Sequence, residues 1–205
     1  MVKEIHIYIE GDPQLRQGFR HFFQPLYKVA KRQNVKMKTL KLCGSRGDTY
    51  KAFRIALKKH PDAFIVMLVD AEGAVDDQQK PWEYLKNRVE DQWDSLGTDN
   101  THCYLMVQTM ESWFVADIEA LKDYYGKGFQ ESAIPKTSQV ENIDKNKLES
   151  SLKAATCKTI KKDYHKTRHA AQILERLDVA KVRQAAPSCD RLFTTLTQIM
   201  EPATD

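Results

Sequence analysis

The chain has 205 residues, 41% of them hydrophobic, which suffices for the core of one ordinary domain and excludes a disordered chain. Only 8 glycines and 7 prolines rule out collagenous and low-complexity readings, and the longest wholly apolar run, Phe64 to Val69, is far too short to span a membrane. A net charge of +4, from 32 basic and 28 acidic residues, permits a polyanionic partner without requiring one.

Ile5 to Ile9 alternates and is β-branched or aromatic, so it predicts a strand with Ile5, Ile7 and Ile9 on one face. It stops at Glu10-Gly11-Asp12-Pro13, where Asp12 suits a helix N-cap and Pro13 a first turn. A helix is expected over Leu15–Arg32, kinked or split by Pro25. Val35 to Leu42 reads as a second strand, Cys43 to Asp48 as a loop with two glycines, and Thr49 to His60 as a helix. Phe64 to Val69 suits a central strand covered on both faces. After a polar loop over Asp76–Lys80, a helix is expected at Pro81–Trp93 and a strand at Cys103–Val107. Glu111 to Tyr125 predicts an amphipathic helix closed by Gly126. Beyond an irregular stretch, Gln130–Asn142, helical patterns follow at Lys145–Thr156, Thr167–Leu177, Asp178–Ala185 and Ser188–Met200.

This order predicts an α/β fold with a central, mostly parallel sheet flanked by helices. The α/β core is expected over residues 1–125, with a helical C-terminal extension, 126–205, packed on the same domain. Cys43, Cys103, Cys157 and Cys189 are scattered and form no C-x-x-C pair, which speaks against a zinc ribbon, a thioredoxin-like motif or a disulfide scaffold. Met1-Val2-Lys3-Glu4 leads straight into a strand, with no charged leader and apolar stretch, so a reducing cytoplasm is the expected compartment and no membrane is expected as partner.

Ligands of open α/β sheets bind beyond the carboxyl ends of the strands. Glu10 closes the first strand here, Asp70 closes the central one, and Glu72 lies two residues further. If those strands are neighbours, three carboxylates converge, repel, and raise one another's pKa. A hard divalent cation relieves that repulsion, and carboxylate oxygens are what magnesium prefers. Acids after strands also serve as helix N-caps; three at matching strand ends favour the metal. Glu111 follows the last apolar strand and is either a fourth carboxylate at this rim or a helix N-terminal acid favoured by the macrodipole. Arg46 lies in a glycine-containing loop that lacks P-loop spacing; phosphate contact and a solvent-exposed turn are both open. Tyr164-His165-Lys166-Thr167-Arg168-His169 gathers cationic side chains at a helix start. His165 and His169 have metal-ligand spacing but no H-E-x-x-H, so a phosphate-contacting patch of His165, Lys166 and Arg168 is the functional reading, and a solvated basic face is the reading composition favours. Trp82, Trp93, Trp113 and Phe114 read as packing residues rather than base-stacking platforms.

A strand ending in Glu-Gly followed by a strand ending in Asp-x-Glu resembles the TOPRIM domain of topoisomerases, primases and overcoming-lysogenization-defect nucleases. The wider set is Ile7 to Gly11, Cys43 to Asp48, Leu68 to Glu72, Met106 to Asp117 and Tyr164 to His169. It resembles a bacterial family of small TOPRIM-like proteins filed as a domain of unknown function. The resemblance implies a TOPRIM-like fold and a magnesium- or manganese-dependent nuclease with one or two ions, acting on DNA or RNA. It also implies a nucleic-acid partner and a role in bacterial antiviral defence beside an ABC- or SMC-type ATPase. By the same resemblance Glu10, Asp70 and Glu72 hold a first metal, and Glu111 and Lys166 complete the site. The relatives carry a second acid four residues after the first Glu, where this chain has Gln14; Asp12 is the nearest substitute. A non-catalytic sensor or regulatory subunit on the same scaffold is the alternative function, and a phosphotransferase of small nucleotides shares the same acids.

Overall fold

The apolar run beginning at Phe64 forms β3 (Phe64–Asp70) at the middle of the sheet because it is covered on both faces. The computed structural model describes residues 2–76 and 78–201. β1 (Glu4–Ile9), β2 (Lys36–Leu42) and β4 (Cys103–Met106) join β3 in the order β2-β1-β3-β4. All the pairings are parallel, with Ile5 opposite Phe64 and Ile9 opposite Leu68. The expected α/β fold is what forms, and its sheet is wholly parallel.

Strand alternation divides the core in two. Ile5, Ile7 and Ile9, with Val66, Leu68, Tyr104 and Met106, face one apolar layer. That layer is closed by α1 (Arg16–Phe22), α2 (Gln24–Arg32), α5 (Glu111–Val115), α6 (Ile118–Tyr125), α7 (Lys145–Thr156), α8 (Lys166–Leu174), α9 (Val179–Ala185) and α10 (Pro187–Met200). Phe22 stacks on Trp113 and meets Phe193 edge-on within it. Tyr8, Ile65, Met67, Val69, Cys103 and Leu105 face the other layer, covered by Phe53 and Ala56 of α3 (Arg46–Lys59) and Trp82 and Leu85 of α4 (Pro81–Asn87). The C-terminal helices therefore share one core with the first strand. All four cysteines are free thiols. Among the described residues no helix is long and apolar enough to cross a membrane.

Several boundaries differ from expectation for identifiable reasons. α3 begins at Arg46 rather than Thr49 because Ser45 caps it, its Oγ accepting from the Asp48 N–H at 3.2 Å. The helix expected to reach Trp93 ends at Asn87; Arg88 turns the chain and pairs with Asp91 at 2.9 Å. Trp93 then stacks on Tyr50 of α3, centroids 4.5 Å apart. The helix expected over 111–125 breaks at Ala116–Asp117. Buried Asp117 caps α6 and also accepts from the Asp178 N–H (2.9 Å) and Lys181 Nζ (2.7 Å). Pro25 sits in the first turn of α2, and the helix pair divides at Phe23.

One close approach sets the C-terminal helices against the N-terminal ones. α1 meets α8 at Gly18, where a Cβ would lie 2.6 Å from the Ala171 carbonyl oxygen and 2.8 Å from Leu174 Cβ. Only a residue without a side chain fits there.

Candidate functional site

Glu10 stands at the rim because the chain turns away sharply behind it. Gly11 has a φ of +138°, which disfavours any other residue. It exchanges two backbone hydrogen bonds of 2.9 Å with Gly44, tying the end of β1 to the end of β2. The Glu10 N–H donates to the Leu68 carbonyl at 2.9 Å, and Glu10 Oε2 accepts from the Asp70 N–H at 3.1 Å. Asp70, the last residue of β3, is 3% exposed. Its Oδ1 accepts from the Met110 N–H at 2.7 Å, and its Oδ2 faces Lys166 Nζ at 3.2 Å. Glu72 has a φ of +66° and donates its N–H to the Gln108 carbonyl at 2.7 Å. Its Oε2 is in contact with Lys145 Nζ. Because β1 and β3 are neighbours, carboxylate oxygens of Glu10, Asp70 and Glu72 all lie within 4.8 Å of one another.

Glu111, the first residue of α5, is joined to this group through Lys166. Its Oε1 accepts from the buried Tyr164 hydroxyl at 2.9 Å and lies 3.5 Å from Lys166 Nζ. Lys166 thus bridges Asp70 and Glu111. Beside it opens a cleft of about 510 Å³ lined by Glu72, Thr109, Glu111, Lys145, Leu148, Glu149, Lys153, Tyr164, His165 and Lys166.

Burial, reinforced by the Asp70 charge and opposed by Arg46, lifts the Glu10 carboxyl to about 7. Burial also lifts Asp70 to about 6, against the pull of Lys166 and the Met110 N–H and with the push of Glu111 and Glu72. Burial lowers the Lys166 ammonium, but the charges of Asp70 and Glu111 outweigh it and hold the group above its ordinary value. Tyr164 is pushed up by burial and by the Glu111 charge, so its phenol stays protonated and donates.

Arg46 and Arg88 are largely spent on other acids. Arg46 holds Asp91 through Nε (3.2 Å) and Nη2 (2.5 Å), and Arg88 pairs with Asp91 and Glu90. Arg46 reaches the rim with Nη1, which donates to the Asp70 carbonyl and lies 3.3 Å from Glu10. Setting aside the arginines with Glu90 and Asp91, four carboxylates face two lysines. With one arm of Arg46 on Glu10 as well, the ionised carboxylates still outnumber the cations that reach the rim.

The family model described as Domain of unknown function (DUF4276) matches residues 11–197. The chain belongs to this family. No curated protein and no solved structure matches it. The DUF4276 match takes in Asp70, Glu72, Glu111 and Lys166 and begins one residue after Glu10.

The basic motif near residue 165 is divided by the fold. Lys166 and His165 line the cleft. His169 is buried, its Nδ1 accepting from the His165 N–H at 3.2 Å. Arg168 lies apart, around a separate recess with Lys158, Lys161 and Lys162. Asp12 caps the short turn at Pro13–Leu15, accepting from the Gln14 N–H at 2.8 Å, and Gln14 is exposed. Trp82, Trp113 and Phe114 are core residues; half-buried Trp93 carries the Arg46 guanidinium 5.3 Å from its centroid.

Lys145 and Asp91 escaped the sequence reading, and Tyr164 and Gln108 stood in its motifs without a role; Gln108 Oε1 accepts from the Lys145 N–H at 2.9 Å. A signal for the lysines exists. Arg46, Lys145 and Lys166 are each the first residue of a helix, where the macrodipole disfavours a cation. A cation placed there against local preference marks a carboxylate partner elsewhere.

Proposed function

We propose that this DUF4276 chain is a magnesium- or manganese-dependent hydrolase of nucleic-acid phosphodiester bonds, built on a TOPRIM-like scaffold. The observation that carries this reading is the meeting of Glu10, Asp70 and Glu72 within 4.8 Å at the carboxyl ends of two neighbouring parallel strands. Their oxygens are the hard donors that magnesium takes, and the surplus negative charge and raised carboxyls describe a cluster that gains from a dication.

When bound, such an ion supplies a Lewis acid for a phosphoryl oxygen and lowers the pKa of an attacking water. Glu10, Asp70 and Glu72 would hold it. The Met110 N–H fixes the Asp70 carboxylate in place. Tyr164 holds Glu111 on the far side of Lys166, where Glu111 would orient a water or serve a second ion. Lys166 stands at the cleft mouth, where a cation neutralises charge growing on a phosphoryl group. Lys145 and Lys153 line the cleft paired with Glu72 and Glu149, and their ammonium groups would meet the flanking backbone phosphates. Arg168, with Lys158, Lys161 and Lys162, would contact a longer strand outside it.

Plasmid, single-stranded DNA and tRNA cleavage with magnesium and manganese tests the reading. Asp70→Asn should abolish metal-dependent cutting while circular dichroism and melting stay near wild type. A variant that cuts as well as wild type overturns it.

A second reading, a non-cutting sensor or regulatory subunit, is favoured by the lysines resting on Glu72 and Asp70 and by Gln14 standing where the nuclease relatives place an acid. It requires that manganese titration find no ion at the rim. The ABC- or SMC-type ATPase partner implied by the resemblance belongs to either reading and is read by co-purification with encoded neighbours.

A further inference from the structure

At the opposite end of β1, Glu4, His6 and His60 form a second cluster whose ligand-capable atoms lie within 4.8 Å of one another. Glu4 and His6 are two residues apart on one strand, so they share a face. His60 caps the C-terminal end of α3, directly after Lys59. The two imidazole centroids are 4.6 Å apart, and His6 Nε2 is in contact with Glu4 Oε1. His6 is 2% exposed, and its Nδ1 is buried with no hydrogen-bond partner among the described residues.

We propose that Glu4, His6 and His60 form a binding site for a borderline divalent transition ion of the zinc class. Two imidazoles and a carboxylate are a donor set that zinc accepts, leaving a fourth position to water. Tetrahedral coordination at about 2.1 Å places ligand atoms about 3.4 Å apart, so the present spacing needs only a modest contraction. The half-buried His60 ring sits at a helix end and can make that adjustment. The site has a solvent route, because His60 lines a recess of about 500 Å³ beside Tyr8 and Lys59. Lys38, 3.4 Å from Glu4 and 62% exposed, leaves to solvent at little cost when an ion takes the carboxylate. The bound ion would pin the start of β1 to the end of α3. Glu4 opens β1 and Glu10 directly follows its last residue, roughly 20 Å away at about 3.3 Å per residue. This site therefore stands independently of the carboxylate rim.

Cobalt(II) titration of tag-free, metal-stripped protein, followed by visible absorption and zinc displacement, tests the proposal. Wild type and Asp70→Asn should both take up cobalt with the bands of a four- or five-coordinate ion, and zinc should bleach them. His60→Ala should weaken binding by more than about 100-fold, since even outer-shell partners are worth about 10- to 100-fold. Glu4→Gln, at a partly exposed strand end, is the second variant and should weaken binding as well. Both variants should melt as wild type does in chelator, and zinc should raise the melting point of wild type and of Asp70→Asn more than that of either variant. Cobalt binding that is lost in Asp70→Asn, retained in full by His60→Ala and Glu4→Gln, or absent from wild type overturns the site.

Discussion

The N–H of Asp70 donates to the side chain of Glu10 at 3.1 Å, so the first acid of the rim is held by the backbone of the second. This bond favours a charged Glu10, yet burial and the Asp70 charge prevail and the carboxyl rises to about 7. Glu10→Gln keeps an oxygen to accept from Asp70 and removes the strained charge. The variant should melt at or slightly above wild type in chelator at pH 8. It should lose the magnesium-dependent rise in melting temperature and on the order of 10²-fold or more in cleavage. Differential scanning calorimetry beside a cleavage assay reads both.

The same raised carboxyls set a pH dependence. Glu10 (about 7 against 4.5) and Asp70 (about 6 against 3.8) bind protons more tightly in the folded chain than in the unfolded one. Their contribution is therefore fully present below the unfolded values and is lost as pH rises through the folded ones. Metal-free protein should lose stability as pH rises from about 4 to about 7, by an amount that urea melts resolve. Magnesium, which needs both groups ionised, should restore it above about pH 7. A flat metal-free profile would mean that the two acids keep ordinary affinities.

Lys166 has two roles that one substitution separates. It neutralises Asp70 and Glu111 in the metal-free chain. In the proposed reaction it opposes phosphoryl charge. Lys166→Met should bind manganese at least as tightly as wild type, because a competing cation is gone. Cleavage should fall by about 10²- to 10³-fold, as for loss of one preorganised donor. Manganese titration against single-turnover kinetics distinguishes this from a structural lysine, whose loss would weaken both.

Gly18→Ala forces a methyl group to within 2.6 Å of the Ala171 carbonyl. Overpacking of this kind costs about 1–3 kcal/mol. In a chain of this length that is a drop of about 2–12 °C in melting temperature. Displacement of α8 also moves its first residue, Lys166. Activity should fall at temperatures where the variant is still folded.

Much of the sheet was legible because its strands are short apolar runs with sharp ends. Ile5–Ile9 alternates, Phe64–Val69 does not, and both endings carry acids. What placed Glu10, Asp70 and Glu72 together was the neighbour relation of β1 and β3, which sequence offered only as a condition. The rest depended on distant partners. The start of α3 was hidden by a Ser45–Asp48 cap inside what read as a glycine-containing loop. The break after Val115 arises from Asp117 bonding to Asp178 and Lys181, some sixty residues away. Lys145 carries no motif, and only the folded position of α7 brings it to Glu72.

The contact at Gly18 has a bearing on where the chain tolerates changes in length. Ala171 and Leu174 fix the rotation of α8 about its axis, and Lys166 stands one to two turns upstream of them on the same helix. A residue inserted between them would swing the lysine by about 100° while leaving the helix seated. The ammonium would then face away from Asp70 and Glu111. Insertions ahead of His165 spare that angle; the interval from 166 to 171 does not absorb them.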